Sequence, residues 1–70
     1  MKYVICQKEN EEMVLVSITS SPQGNYGNVS NDEDLAMLFE SEAEALAVIE
    51  TLDGRGEFWG ARPKRRKPNK

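Results

Sequence analysis

The densest run of chemically capable side chains is Arg62-Pro63-Lys64-Arg65-Arg66-Lys67, with Lys70 three residues further on. Six cations within nine residues can neutralise several backbone phosphates, with an affinity that falls steeply as salt rises. Phe58 and Trp59 stand just before the run, and an aromatic group beside basic residues can stack on an unpaired base. Trp59, Arg62, Lys64, Arg65, Arg66 and Lys67 are therefore the candidate contacts for nucleic acid or another anion. The competing expectation is a tail that solubilises the chain or folds back onto its own acids. A nuclear-localisation signal is a further option, meaningful only in a eukaryotic setting.

Acids dominate the rest. Residues 1–60 hold all twelve Asp and Glu but only Lys2, Lys8 and Arg55 as bases, so a net charge of −9 precedes a C-terminal stretch of +6. Such asymmetry points to a charged partner, whether nucleic acid, an anionic surface or a complementary protein. Asp32, Glu33 and Asp34 form the sharpest acidic cluster and, with Tyr26 in the preceding polar stretch, are the candidate contacts for a protein partner. For Tyr26 the alternative is that it pins that stretch to the body.

Catalytic chemistry finds little to work with. Paired carboxylates occur at Glu11/Glu12, Asp32/Glu33/Asp34 and Glu40/Glu42/Glu44, but acid–base catalysis requires carboxyls desolvated in a cleft so that their pKa values separate. The run Asn31-Asp32-Glu33-Asp34 lacks the glycine and terminal glutamate of a calcium loop. With no histidine and one cysteine, a zinc site has no ligand set and the serines have no imidazole to activate them. No catalytic, metal-binding or cofactor-binding residue is expected, and no cofactor. Gly54-Arg55-Gly56 has the look of a phosphate loop, yet it leaves a helix, where carbonyls rather than N–H groups point outward. It reads as a helix cap and turn.

Cys6 lies in the apolar run Tyr3-Val4-Ile5-Cys6 and reads as a small buried hydrophobe in a reducing, cytoplasmic setting. The N-terminus lacks the pattern of a signal peptide, and no apolar stretch approaches the roughly 20 residues that span a bilayer. No membrane partner is expected. At 70 residues the chain forms one small domain, for which a core supplies only a few kcal/mol.

The elements that must position these groups begin with two β-rich runs, Lys2 to Gln7 and Glu12 to Ile18, joined by a polar stretch of hairpin length. Both are apolar on both faces, unlike the alternation of a half-buried hairpin. One helix covers one face of a small sheet, so the other must meet a loop, a second copy or a partner. A homodimer through a sheet face is therefore an option. Residues 19–31 are rich in Ser, Gly, Asn and Pro and read as loop. Asp32-Glu33-Asp34 can begin a helical turn, and Ala36 to Phe39 reads as a short strand. Ser41-Glu42-Ala43-Glu44 fits a capping box. Ala45, Val48, Ile49 and Leu52 then make one helical stripe, which Gly54 ends. Glu57 to Ala61 reads as a last strand with Phe58 and Trp59 on opposite faces. Ile5, Val14, Val16, Phe39, Val48, Ile49 and Leu52 are the expected core.

The block Asp34 to Ala45, followed by Val48-Ile49, resembles short accessory proteins of phages and prophages. In these a hairpin precedes an A-x-x-F-x-S-x-x-E-A stretch, a helix and a final strand. Ala36, Phe39, Ser41, Glu44 and Ala45 stand at the matching positions, and the resemblance covers residues 2–62. Members with a known role inhibit or redirect a host machine such as RNA polymerase or a defence complex, and the pattern carries no catalytic residues.

The sequence thus predicts an α+β domain over residues 1–61, with a small antiparallel sheet of three to four strands and one helix on one face, in the order β-β-(β)-α-β. Residues 62–70 form a flexible basic tail, without residues to bury. The function it implies is non-enzymatic: an interaction protein of phage type that binds and modulates a host protein through its acidic surface or a sheet face. The alternative is a nucleic-acid-binding module using the tail and Trp59.

Overall fold

A computed structural model describes residues 1–65. Strands β1 (Tyr3–Gln7), β2 (Val14–Ser21), β3 (Gly24–Ser30) and β4 (Trp59–Pro63) form one antiparallel sheet in the order β3-β2-β1-β4. A 3₁₀ turn (Glu33–Leu35), helix α1 (Glu42–Ile49) and a short helical turn α2 (Arg55–Phe58) lie between β3 and β4. The fold is α+β, with one main helix against the sheet.

Residues 19–31 are not a loop. They are the end of β2, the two-residue turn Pro22-Gln23 and all of β3, which runs antiparallel from Ser21↔Gly24 to Val14↔Ser30. Composition hid this strand, because its glycines and asparagines carry turn propensity while the pairing comes from β2. The third strand therefore lies here. Ala36 to Phe39, expected as a strand, contributes a single bridge between Phe39 and Tyr3. The last strand begins two residues later than expected, since Glu57 and Phe58 belong to α2.

Strands β1 and β2 pair only at Cys6↔Val14 and then diverge, helped by a bulge in β2 between Leu15 and Ser17. The segment after the 3₁₀ turn fills the gap. Met37 N–H donates to Leu15 O at 2.9 Å, while Tyr3 and Phe39 exchange N–H···O=C bonds of 2.8 and 2.9 Å. The chain thereby passes from one side of the sheet to the other.

That passage serves two cores. On the helix side, Ile5, Leu15, Phe39, Ala45, Ile49, Leu52 and Trp59 are buried together. On the other side, Val4, Cys6, Val14 and Ala36 form a second cluster with Val16 against it. Val16 and Val48 are half-buried rather than fully enclosed. The second apolar face is thus covered in part by the chain's own segment around Ala36, which packs with Val4, Cys6 and Val14 and leaves Val16 half-buried.

Trp59 shows how strongly the sheet curls. Strands lie about 4.8 Å apart, so β4 and β3 would be about 14 Å apart in a flat sheet. Yet a Cβ placed on Gly27 of β3 would fall 2.7 Å from Trp59 Cζ2 and 2.6 Å from Leu15 Cδ1. The indole therefore spans the concave face and touches the far strand where glycine leaves room. Its Nε1–H donates to Asp53 O at 2.9 Å, and Phe58 meets it edge-on at 4.9 Å between centroids.

Helix α1 starts as its sequence predicts. Ser41 is extended and its Oγ accepts from Glu44 N–H at 3.1 Å, while Glu44 Oε1 accepts from Glu40 N–H at 2.9 Å. Two free donors are satisfied reciprocally, with the carboxylate reaching one residue before the cap. The helix ends at Ile49, and left-handed Gly54 (φ 88°) instead turns the chain into α2. No helix of the described residues is long and apolar enough to cross a membrane.

Candidate functional site

The two groups of candidate residues, basic tail and acidic cluster, meet each other. Arg62 leaves β4 on the convex side of the sheet, opposite Val4. The 3₁₀ turn sets Glu33 in front of it, because Asp32 caps that turn by accepting from Asp34 N–H at 3.0 Å. Arg62 Nη1 and Nη2 donate to the two carboxylate oxygens of Glu33, both at 2.8 Å. Glu11 O accepts from Nε at 3.2 Å and Nη2 at 2.8 Å, and Pro63 O accepts from Nη1 at 3.1 Å. These bonds use all five guanidinium donors.

Glu33 and Arg62 side chains are 15% and 11% exposed, so the pair is largely withdrawn from water and belongs to the structure. Arg62 holds the Glu33 carboxyl well below the ordinary range, at about 2, with help from the Arg65 N–H. The same arrangement extends outward: Arg65 N–H reaches Glu33 Oε2 at 2.9 Å and Arg65 Nη2 pairs with Glu11 Oε1 at 3.2 Å. Lys64 Nζ lies 3.8 Å from Asp34 Oδ1, and its N–H extends the β1–β4 ladder to Lys2 O at 2.8 Å.

This geometry corrects the expected nucleic-acid surface. Trp59 is 3% exposed with its indole N–H occupied, so it has no free face for a base. Arg62 and Pro63, expected in a flexible tail, are the last two residues of β4. Lys64 and Arg65 bind the body's acids, which is the fold-back expectation for these residues; Arg66 and Lys67 lie outside the described residues. Glu33 is consumed by Arg62, so of the expected protein contacts Asp32 and Asp34 serve the same junction. Tyr26 sits elsewhere, on β3 opposite Thr19 and 42% exposed, and thus does not pin the stretch to the body.

With these pairs made, the exposed acids without an ion pair among the described residues include Glu9, Glu12 and Glu57 and, along α1 and its C-terminal end, Glu42, Glu44 and Glu50. Glu42, Leu46 and the C-cap residue Glu50 follow at i, i+4, i+8, one line along the helix. All three are exposed, Leu46 at 48%. Asp53 is exposed in the turn beyond the helix. Among the described residues Glu42, Glu50 and Asp53 form no ion pair. Sequence reasoning placed Glu42 within the capping box and overlooked Leu46; the signal was a leucine midway between two acids outside the apolar stripe.

Among the described residues, no three His, Cys, Asp or Glu stand where they could hold a metal ion. A polar dish of about 220 Å³ lies between the β2–β3 turn and the loop after α1, but its carboxylates, Glu50 and Asp53, are exposed and hence solvated. Burial pushes the Cys6 thiol up, away from the reactive thiolate. Comparison with protein-family models, curated proteins and solved structures gave no match.

Proposed function

We propose that this chain is a non-enzymatic interaction protein of the phage accessory type, which binds and modulates a host protein or complex through the exposed acidic face of α1. The observation that carries this reading is an exposed leucine on α1 between two acids that form no ion pair among the described residues. Arg62, Lys64, Arg65 and Lys2 engage Glu33, Asp34, Glu11 and Glu40, whereas Glu42 and Glu50, one helical turn to either side of exposed Leu46, form no ion pair among the described residues. An apolar side chain flanked by two acids suits a basic protein surface with an apolar recess, where complementarity steers association and selects the partner. The rigid helix presents these groups without further ordering cost.

The nucleic-acid alternative has less support, because Trp59 is buried and Arg62 is paired with Glu33. Capture from bacterial lysate tests the favoured reading. The tagged protein should retain a defined host protein, less so as salt rises, and the Glu42→Lys/Leu46→Glu/Glu50→Lys variant should lose it while unfolding like the parent. Equal capture by parent and variant, or retention of nucleic acid alone, would refute it.

A further inference from the structure

The outer edge of β3 carries unpaired main chain. Asn25 turns its carbonyl away from β2 to accept from Asp53 N–H at 2.9 Å, and its Nδ2 donates to Thr51 O at 3.2 Å. Alternation along a strand points the N–H and C=O groups of Gly27 and Val29 the same way. Among the described residues neither makes a backbone hydrogen bond on that side. The loop 51–53 thus covers one end of the edge and leaves Gly27 to Val29 open.

Edge strands are usually blunted by shortness, charge or proline. The opposite edge, β4, has all three: five residues, with Arg62 and Pro63 among them. Strand β3 has none, being seven residues of sequence GNYGNVS. Half-buried Val29 packs on the helix-side core, while Tyr26 and Asn28 alternate with it and face the other side. Acids bracket the open stretch, with Glu50 and Asp53 at its covered end and Asp32 two residues beyond Ser30.

We propose that this edge takes an extended segment of a protein partner as a fifth strand. The segment alternates apolar side chains beside Val29 with polar ones beside Tyr26 and Asn28, and bears Lys or Arg at both ends. This rests on the reading that the chain binds a protein, and states how part of that partner is held. Main-chain bonds to Gly27 and Val29 give affinity, and the flanking charges and alternation give selectivity. A second copy of the chain fits less well. Antiparallel pairing of two β3 strands about Asn28 would bring Asp32 of one copy to Gly24 of the other, beside Asp53, placing like charges together.

Titration of the full-length, isotope-labelled protein with the capped peptide Lys-Thr-Val-Thr-Val-Thr-Lys, followed through backbone amide signals, tests this. Saturable shifts and slowed hydrogen exchange are expected at Gly27 and Val29. Binding should be roughly tenfold weaker for the Glu-ended peptide, which exchanges two exposed ion pairs for two repulsions. It should be lost when the peptide amides facing β3 are N-methylated, and lost in Val29→Pro; the methylated peptide decides the matter if that variant does not fold. No saturation at millimolar peptide, or equal binding of the Glu-ended peptide, overturns the proposal. So does protection of Gly27 and Val29 in the free protein together with a doubled mass, which would place a second copy on the edge. The titration needs no host protein, so its failure is separable from failure of the α1 face in lysate capture.

Discussion

The Arg62 guanidinium meets the Glu33 carboxylate in parallel, with both N···O distances at 2.8 Å across 29 residues of sequence. This contact closes the convex core. It fastens the 3₁₀ turn, and with it Ala36, over Val4, Cys6 and Val14. Arg62 is a clasp whose partner is internal.

Replacing Glu33 by Gln should therefore cost about 2–3 kcal/mol in urea-induced unfolding, somewhat below the ~3–5 kcal/mol typical when one partner of a fully buried pair is removed. The loss should appear in the denaturation midpoint with an unchanged slope. A change under about 0.5 kcal/mol would mean that the convex core holds without its clasp.

The same pair sets an acid limit. The Glu33 carboxyl titrates at about 2 in the folded chain against an ordinary 4.5. A depressed pKa contributes stability that is complete above the unfolded value and is lost as pH falls through the folded one. Stability of the parent should decline as pH drops from about 4.5 towards 2, and Glu33→Gln should flatten that part of the profile. Parallel profiles for the two proteins would assign the acid sensitivity to other carboxyls.

Gly27 tests the curl of the sheet. A methyl group in place of one of its Cα hydrogens would lie 2.6–2.8 Å from Leu15 Cδ1 and the Trp59 ring. Gly27→Ala should destabilise by about 1–3 kcal/mol, as overpacking of a filled core does, and should shift the Trp59 fluorescence. A neutral substitution with unchanged fluorescence would show that the indole does not cross to β3.

Chain ends separate the clasp from the residues after it. Ending the chain at Arg65 keeps the Lys64 N–H bond to Lys2 O and the Arg65 bonds to Glu33 and Glu11, whereas ending at Arg62 removes them. The shorter protein should be less stable than the longer by about 1–3 kcal/mol. Thermal unfolding of the two side by side measures it.

Helix α1 was legible because its signals are local: a serine cap, a glutamate three residues on and an apolar stripe. Strand β3 was not, since within Gly24–Ser30 only Tyr26 and Val29 favour a strand, and the glycines and asparagines outweigh them until β2 lies beside it. Its turn was written in Pro22-Gln23-Gly24, but glycine and asparagine carry the same propensity in a loop. The basic run was read by charge alone, and charge does not reveal which cation comes opposite which acid. Arg62 looks like its neighbours in sequence, and only strand pairing with Val4 places it in front of Glu33. Trp59 misled for the same reason. An aromatic beside cations suits a base and equally suits a core, and a 70-residue domain needs its largest side chain inside.

The passage of residues 36–39 through the gap between β1 and β2 has a kinetic side. Ala36 completes one core and Phe39 the other, so a single stretch of chain must seat before either is whole. Its bonds to Leu15 and Tyr3 close loops of 22 and 36 residues between Met37 and Leu15 and between Phe39 and Tyr3, and the entropy of both closures falls on one event. The β2–β3 hairpin can form locally ahead of it, but the two cores then assemble and come apart together, in one cooperative step.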